Sequence, residues 1–427
     1  MTQATRACVR PSGYDGTCRA RPAHFHPQEL RVTTTHTAAP ADRLGLIPPY
    51  ATAQLEILRA HAEAKGLVCI DLGIGSPDQP TPPEVLEAMQ RAVADPANHR
   101  YPNFKGKLAF RKAIADWYGR RYGVELDAET EVLPLIGSKE GLAKLAMAFI
   151  NPGDVTITPD PSYPVHHRGT LLAGGRLSLV QARAERDFLP DWSEIPQADL
   201  ERAKLMFYNF PSNPTAAVAP RSFHEETLDF AKRHGLVLAH DLAYAELAFD
   251  GYRPTSLLEL PGAKNYAVEF HTMSKTYNMA GWRVGFVVGN AKILHELYRI
   301  KTNMDYGIFG AIQDAATAAL ALPQKHADDL IALYQRRRDV VVAGLNRLGW
   351  NLTPPKATMY VWAPVPGGAK AYDFVADVID RTGVVFTPGS GFGAGGEGFF
   401  RISLVAPEAT LVEAFDRLDK AGIRFAP

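Results

Sequence analysis

Residues 131–149 read EVLPLIGSKEGLAKLAMAF, and the architecture follows from this stretch. The first seven residues, 131–137, are an apolar run ending in Gly137. Ser138 then opens a segment in which Leu142, Leu145, Ala146 and Phe149 recur at three- and four-residue spacing, one face of a helix. Strand, Gly-Ser turn and helix form the first two-thirds of a βαβ unit. Outward from it, apolar, β-rich runs at 154–158, 204–210, 236–241, 267–274 and 283–289 are separated by turns or helix-length stretches. That alternation predicts a mostly parallel sheet, and hence a large α/β domain over residues 66–300. After residue 300 the pattern changes to long helices at 308–321 and 326–348 and strands at 358–363 and 399–405. These predict an interdomain helix and a smaller α+β domain over residues 301–427. An N-terminal arm over residues 41–65 carries a helix at 50–65. No repeat of fixed period occurs, and the only low-complexity tract is glycine-rich, 389–398.

Forty-six Lys and Arg balance 46 Asp and Glu across 427 residues, so no net field draws in a nucleic-acid backbone or an anionic membrane. Every apolar run stops well short of the roughly 18 residues a membrane span needs. Cys8, Cys18 and Cys69 are too few and too far apart for a disulfide framework or zinc, which suits a reducing compartment, the cytoplasm. Residues 1–40 set Arg6, Arg10, Arg19, Arg21 and Arg31 against only Asp15 and Glu29, without apolar periodicity. They read as a disordered basic tail. Lacking an amphipathic stripe or a secretory apolar region, they fit a loose tail or a mis-assigned start better than an organelle leader.

Lys275 stands where the apolar run 267–274 ends. A lysine there is poorly sited for a salt bridge and well sited for a nucleophilic amine, because desolvation lowers its pKa; by itself it serves equally as a solvated loop lysine. Asp241 ends the run 236–240, where an unpaired carboxylate is costly and a pyridinium nitrogen is a suitable partner. It serves equally as a cap for a helix over 242–249. Tyr244 follows three residues later. Gly137, Ser138 and Lys139 form a strand-to-helix turn of the kind that binds phosphate, or an ordinary serine N-cap. Residues 210–215, FPSNPT, form a rigid turn presenting Asn213. Arg401, inside the apolar run 398–403, wants a planar anion such as a carboxylate, or else sits on an edge strand and reaches solvent. Gly391 to Gly396 satisfy G-x-G-x-x-G, but a strand and not a helix follows, so the segment reads as a mobile loop beside Arg401. His166 and His167 have no metal-ligand spacing, His240 reads as packed, and no metal site is predicted.

Together the segments IGSKEGLA (136–143), DPSYPVH (160–166), NFPSNPTAA (209–217), HDLAYAE (240–246), EFHTMSKTYNMAGWRVGF (269–286) and KTNMDYGIFGAIQ (301–313) resemble the class I/II aminotransferases. These are fold type I enzymes that use pyridoxal 5′-phosphate, and the resemblance runs from about residue 45 to the end. Within that family the wording is similar to the LL-diaminopimelate and the alanine-forming, glutamate–pyruvate branches. The resemblance implies that Lys275 is the Schiff-base lysine and proton carrier. It implies that Asp241 pairs with the pyridine nitrogen, Asn213 and Tyr244 hold the phenolic oxygen, and Tyr163 stacks on the ring. Ser138 and Lys139 by their backbone, with Ser274 and Arg283 by their side chains, would cradle the phosphate. Arg401 and the Gly75 backbone would hold the substrate carboxylate, with Asn213 beside them. Tyr101 would reach the phosphate of a neighbouring subunit, which requires a homodimer.

The implied reaction exchanges an amino group between an L-amino acid and a 2-oxo acid, with glutamate and 2-oxoglutarate as one pair and LL-diaminopimelate or alanine as the other donor. A carbon–sulfur lyase on the same fold uses the same lysine and aspartate and stands as the alternative. A transcription regulator with an aminotransferase-like sensor domain needs a winged helix that residues 1–44 are too short to form. No arginine lies between Arg299 and Arg336, so a distal-carboxylate clamp from that segment is absent, leaving Lys301, Asn303 and Tyr306 to meet a distal group.

Overall fold

The computed structural model describes residues 38–49 and 51–425. The basic tail expected over 1–40 therefore lies, up to residue 37, outside the described residues, as do Cys8, Cys18 and Tyr50. The arm's helix is Ala51–Ala64.

Seven strands form the main sheet: β1 Val132–Leu135, β2 Val155–Asp160, β3 Arg176–Gln181, β4 Ala203–Tyr208, β5 Val237–Asp241, β6 Ala267–Thr272 and β7 Gly285–Gly289. Their order is β1-β7-β6-β5-β4-β2-β3. The neighbours from β6 through β5, β4 and β2 to β3 pair in parallel, while β7 runs antiparallel to both β6 and β1. The sequence reading anticipated the parallel majority, but it missed β3 and the reversed β7. Pro134 is tolerated in β1 because β1 is an edge strand.

Helices cover both faces, so the central strands bury alternate side chains on opposite sides. Leu205 and Phe207 of β4 join Val268 and Phe270 of β6 in one apolar cluster, together with Leu142, Leu145 and Ala146 of the helix Ser138–Phe149. Met206 and Tyr208 of β4 face the other cluster, with Phe110, Ile114 and Tyr118 of the helix Leu108–Tyr122.

A second, antiparallel sheet joins β8 Tyr360–Pro364, β9 Thr387–Pro388 and β10 Phe399–Ser403 in the order β9-β10-β8. Its core takes Tyr334, Val341 and Leu345 from the 24-residue helix Gln324–Arg347. Ile70 and Leu72 belong to this core as well, and Ile70–Asp71 pairs in parallel with Val384–Val385. The chain just after residue 66 thus packs with C-terminal elements.

The strands that end at Asp241 and lead into Lys275 are locked together by a buried carboxylate. Glu269 on β6 lies directly across from His240 on β5. Its oxygens accept from His240 Nδ1 at 2.8 Å, His271 Nε2 at 3.1 Å and the Leu257 amide at 2.8 Å, and from the Tyr118 hydroxyl. His240 Nε2 faces Phe210 O at 2.9 Å, so both ring nitrogens meet acceptors, and Tyr208 stacks on the ring at 4.4 Å. His240 is packed, as expected. Burial pushes the Glu269 carboxyl up, yet the His240 and His271 bonds pull it well below its ordinary 4.5. A depressed carboxylate adds stability that is present above the unfolded value and is lost as pH falls towards the folded one.

Replacing Glu269 by Gln removes the buried negative charge that these donors surround. We expect Glu269→Gln to lose roughly 3–5 kcal/mol at neutral pH, read as the denaturation midpoint in urea, with the deficit narrowing below pH ~4.

Candidate active site

A cleft of about 280 Å³ opens at the C-terminal ends of β4, β5 and β6, where the strands stop and their following turns diverge. Gly75, Ser138, Lys139, Tyr163, Asn213, Asp241, Tyr244, Ser274, Lys275, Arg283 and Arg401 all line it. Of the cofactor and substrate residues singled out from sequence, Tyr101 lies elsewhere, and of the candidates for a distal group, Lys301, Asn303 and Tyr306, none lines the cleft. Tyr101 is 82% exposed and stacks on Tyr306 at 4.4 Å.

Lys275 lies in the single helical turn Met273–Thr276 rather than on the strand, which stops at Thr272. The Thr272 hydroxyl caps that turn by accepting from the Ser274 amide at 3.1 Å. The capped turn aims Lys275 into the cleft, where Nζ donates to Gly75 O at 2.5 Å. Burial lowers the pKa of this amine; Tyr360 opposes the shift, and the Arg401 and Arg283 cations add to it. A buried amine of lowered pKa lining a cleft is suited to act as a nucleophile.

Asp241 Oδ2 faces His166 Nε2 at 3.2 Å, while Oδ1 is buried with no partner. No helix follows it, since residues 243–246 form turns, so the reading of Asp241 as a helix cap fails. A buried carboxylate oxygen with a free lone pair calls for an N–H donor from a ligand. The helix Ser138–Phe149 begins with Gly137 as its N-cap, and no side chain caps its first turn. Ser138 is therefore not an ordinary N-cap, and the helix end can take an anion. Arg283 stands beside it. Gly137 has φ +75°, and a Cβ there would lie 2.4 Å from Arg283 Nη2, so only glycine leaves the arginine in place.

Arg401 sits on β10, the middle strand of its sheet, and is buried, which removes the solvent-reaching alternative. Its Nη1 donates to Asn213 Oδ1 at 2.7 Å and Nη2 to Gly73 O at 2.8 Å, and its guanidinium lies 4.1 Å over the Tyr360 ring. The glycine-rich loop beside it is closely packed: the Gly395 amide donates to Asp160 Oδ2 at 2.9 Å, and a Cβ on Gly389 would meet Gly396 O at 2.0 Å. Lys301 does not reach the cleft. It is buried in an ion cluster with Glu140 and Asp305, which also takes Lys144, so it is corrected from a candidate for the distal group to a structural residue.

Sequence reasoning missed His166, Asn209 and Tyr360. His166 was legible in part, since it lies three residues after Tyr163 at a helix start and so shares its side. Asn209 carries no such signal. It links the turn to β5 by donating to Asp241 O at 2.5 Å and accepting from the Asn213 amide at 2.7 Å. Among the described residues no cluster of His, Cys, Asp and Glu could hold a metal, and no helix is long and apolar enough to cross a membrane.

A doubly covered sheet with a buried amine, a lone carboxylate oxygen, an anion cradle and a buried arginine at its strand ends defines a transaminase-type enzyme. Residues 68–418 match the family Aminotransferase class I and II. The LL-diaminopimelate aminotransferase of Desulforudis audaxviator (strain MP104C) is 52% identical over 378 residues, covering 88% of this chain and 96% of that protein. The LL-diaminopimelate aminotransferase of Nitratidesulfovibrio vulgaris (strain DP4) is 50% identical over 381 residues, covering 89% and 98%. Among solved structures, substrate-bound BacF from Bacillus subtilis superposes with a TM-score of 0.88 at 38% identity, covering 91% of this chain and 99% of that one. The chain belongs to the class I and II aminotransferases, pyridoxal-phosphate-dependent enzymes that exchange an amino group between an amino acid and a 2-oxo acid.

The depressed pKa of Lys275 has a direct readout. In cofactor-free protein, competitive acetylation followed by peptide mass spectrometry is expected to give Lys275 a labelling midpoint below the ordinary lysine value of 10.5. A midpoint at or above that value would contradict the burial argument.

Proposed function

We propose that this enzyme transaminates LL-diaminopimelate, with glutamate and 2-oxoglutarate as the exchanging pair, at the cleft around Lys275. The observation that carries the reading is the convergence of the Lys275 amine, the unpartnered Asp241 Oδ1 and the Arg401 guanidinium on one cleft. The diaminopimelate choice is supported by relatives of that name at about half identity over nearly their full length.

Pyridoxal 5′-phosphate, when bound, supplies an electron-accepting ring for the carbanion formed at the substrate Cα. In this reading Asp241 Oδ1 takes the pyridine N–H, and His166 holds the carboxylate in place. Asn213 Nδ2 and the Tyr244 hydroxyl hold the phenolic oxygen, and Tyr163 covers the ring. The first-turn amides at Ser138 and Lys139, with Ser274 and Arg283, hold the phosphate. Arg401 takes the substrate α-carboxylate on a guanidinium already oriented by Asn213 and Gly73, with the Gly75 backbone closing beside it. Lys275 Nζ, within the cleft and with its pKa lowered by burial, takes the proton from the substrate Cα.

Residues 66–300 then form the cofactor domain, and 301–427, with the chain around Ile70, the domain that carries Arg401. Exposed Tyr101, stacked on Tyr306, suits a homodimer in which it completes the partner's phosphate site. Arg401 satisfies one carboxylate, and no arginine of the 300–335 segment exists to meet a second.

A single-turnover spectral titration tests the substrate. The cofactor band should convert rapidly to the amine form with LL-diaminopimelate and with glutamate, and slowly with alanine. Rapid conversion by alanine with none by LL-diaminopimelate would overturn the donor, and oxo-acid release with the band unchanged would favour the lyase alternative.

The dimer has its own test. Inactive Lys275→Ala chains mixed with Tyr101→Ala chains should regain activity, because hybrid dimers hold one site with both residues intact. No recovery despite proven subunit exchange would place Tyr101 outside the site.

A further inference from the structure

We propose that Tyr360 is a positioning residue that joins the two halves of the site, holding Arg401 by its ring and Tyr244 by its hydroxyl. The inference rests on the cofactor and substrate reading above and assigns a role to a residue that the reading does not use.

Tyr360 opens β8 and is buried. Three observations converge on it. Its ring lies under the Arg401 guanidinium at 4.1 Å, so it supports the cation from below while Asn213 and Gly73 hold the rim. Its hydroxyl lies 3.1 Å from the Tyr244 hydroxyl. And the backbone is shaped around it: a Cβ on Gly75 would stand 2.1 Å from the Tyr360 hydroxyl oxygen, so the chain there must be glycine. Gly75 is the residue whose carbonyl accepts from Lys275 Nζ. Arginine, tyrosine and lysine therefore all meet at one phenol.

The direction of the hydroxyl pair follows from the chemistry on either side. Burial raises the Tyr360 phenol, but Arg401 and Lys275 more than reverse this and leave it below its ordinary value. Burial raises Tyr244 well above its ordinary value, and Tyr360 adds to that shift. Either hydroxyl can donate across this contact, and we assign the donation to Tyr360, the phenol that faces the Arg401 cation. This leaves the Tyr244 proton free to donate to the cofactor's phenolic oxygen, and a hydroxyl that accepts one bond donates the next more strongly. The titratable groups facing this pair are Arg401 on β10, Lys275 on the turn after β6, Tyr163 at the start of its helix, and Tyr334 on the long helix.

A donor to the phenolic oxygen compensates for loss of the neighbouring imine proton. Weakening that donor therefore raises the pH at which the proton leaves. The test uses the holoenzyme and reads the pH midpoint of its visible absorption band. Tyr360→Phe keeps the ring and removes the hydroxyl, so its midpoint should move up by about half a unit to one unit, the size of one hydrogen bond. Its affinity for 2-oxoglutarate, read from perturbation of the same band, should stay within about twofold of wild type, because the support of Arg401 is intact. Tyr360→Leu should show the same shift and bind 2-oxoglutarate roughly fivefold to tenfold more weakly.

In a Tyr244→Phe background, Tyr360→Phe should add no further shift, since the effect passes through Tyr244. A Tyr360→Phe midpoint equal to wild type, or a shift of unchanged size in the Tyr244→Phe background, would overturn the hydroxyl link. Equal 2-oxoglutarate affinity in the Phe and Leu variants would overturn the ring support. A wild-type protein that develops no visible band with pyridoxal 5′-phosphate would instead overturn the cofactor reading, and the proposal with it.

Discussion

The pairing of β5 with β6 is the constraint on which the site depends. Asp241 closes one strand and Lys275 follows the other by three residues, so a slip of one position between them would turn either group away from the cleft. Apolar packing alone tolerates such a slip poorly but does not forbid it. The carboxylate of Glu269, lying across from His240 and also held by His271, Tyr118 and the Leu257 amide, has one register in which all of its bonds are made. A buried charge with that many specific partners acts as a pin.

Two cations line the cleft above this pinned pair, Arg283 beside the uncapped helix end and Arg401 against Asn213 and Gly73. They suit a cofactor phosphate and a substrate carboxylate. Burial depresses the Lys275 pKa, and both cations add to that shift. Arg401 comes from the smaller antiparallel sheet, while Lys275 and Asp241 come from the large one. The two sides are linked by Arg401 donating to Asn213, which lies in the turn after β4, and by the hydroxyl pair of Tyr360 on β8 and Tyr244 after β5.

Much of this was legible in the chain. The alternating apolar runs and helix-length segments implied a parallel sheet covered on both faces, and the sites at the ends of those runs fell together in one cleft. What escaped was of two kinds. The reversal of β7 and the existence of β3 depend on pairing partners, which periodicity does not name. His166, Asn209 and Tyr360 act on residues 75, 32 and 116 positions away, and only His166, on the helix that follows Tyr163, has a local pattern to mark it. Lys301 shows the opposite error. It lies in a segment resembling the family, yet it is held in an ion cluster with Glu140 and Asp305 and does not line the cleft.

The sequence alone determined the order of the main-sheet strands other than β3, because hydrophobic spacing reports which face of each element is buried. It also determined the chemical types in the site, because a lysine, an aspartate and an arginine at the ends or within apolar runs are costly unless used. Only the tertiary structure decided their state. Ser138 proved not to be a cap, Asp241 kept one oxygen without a partner, Arg401 lay in a central strand, and the glycine-rich loop packed against Asp160. Each of these depends on what a distant segment brings within about 3 Å, the range over which a hydrogen bond forms and desolvation sets the protonation of a buried group.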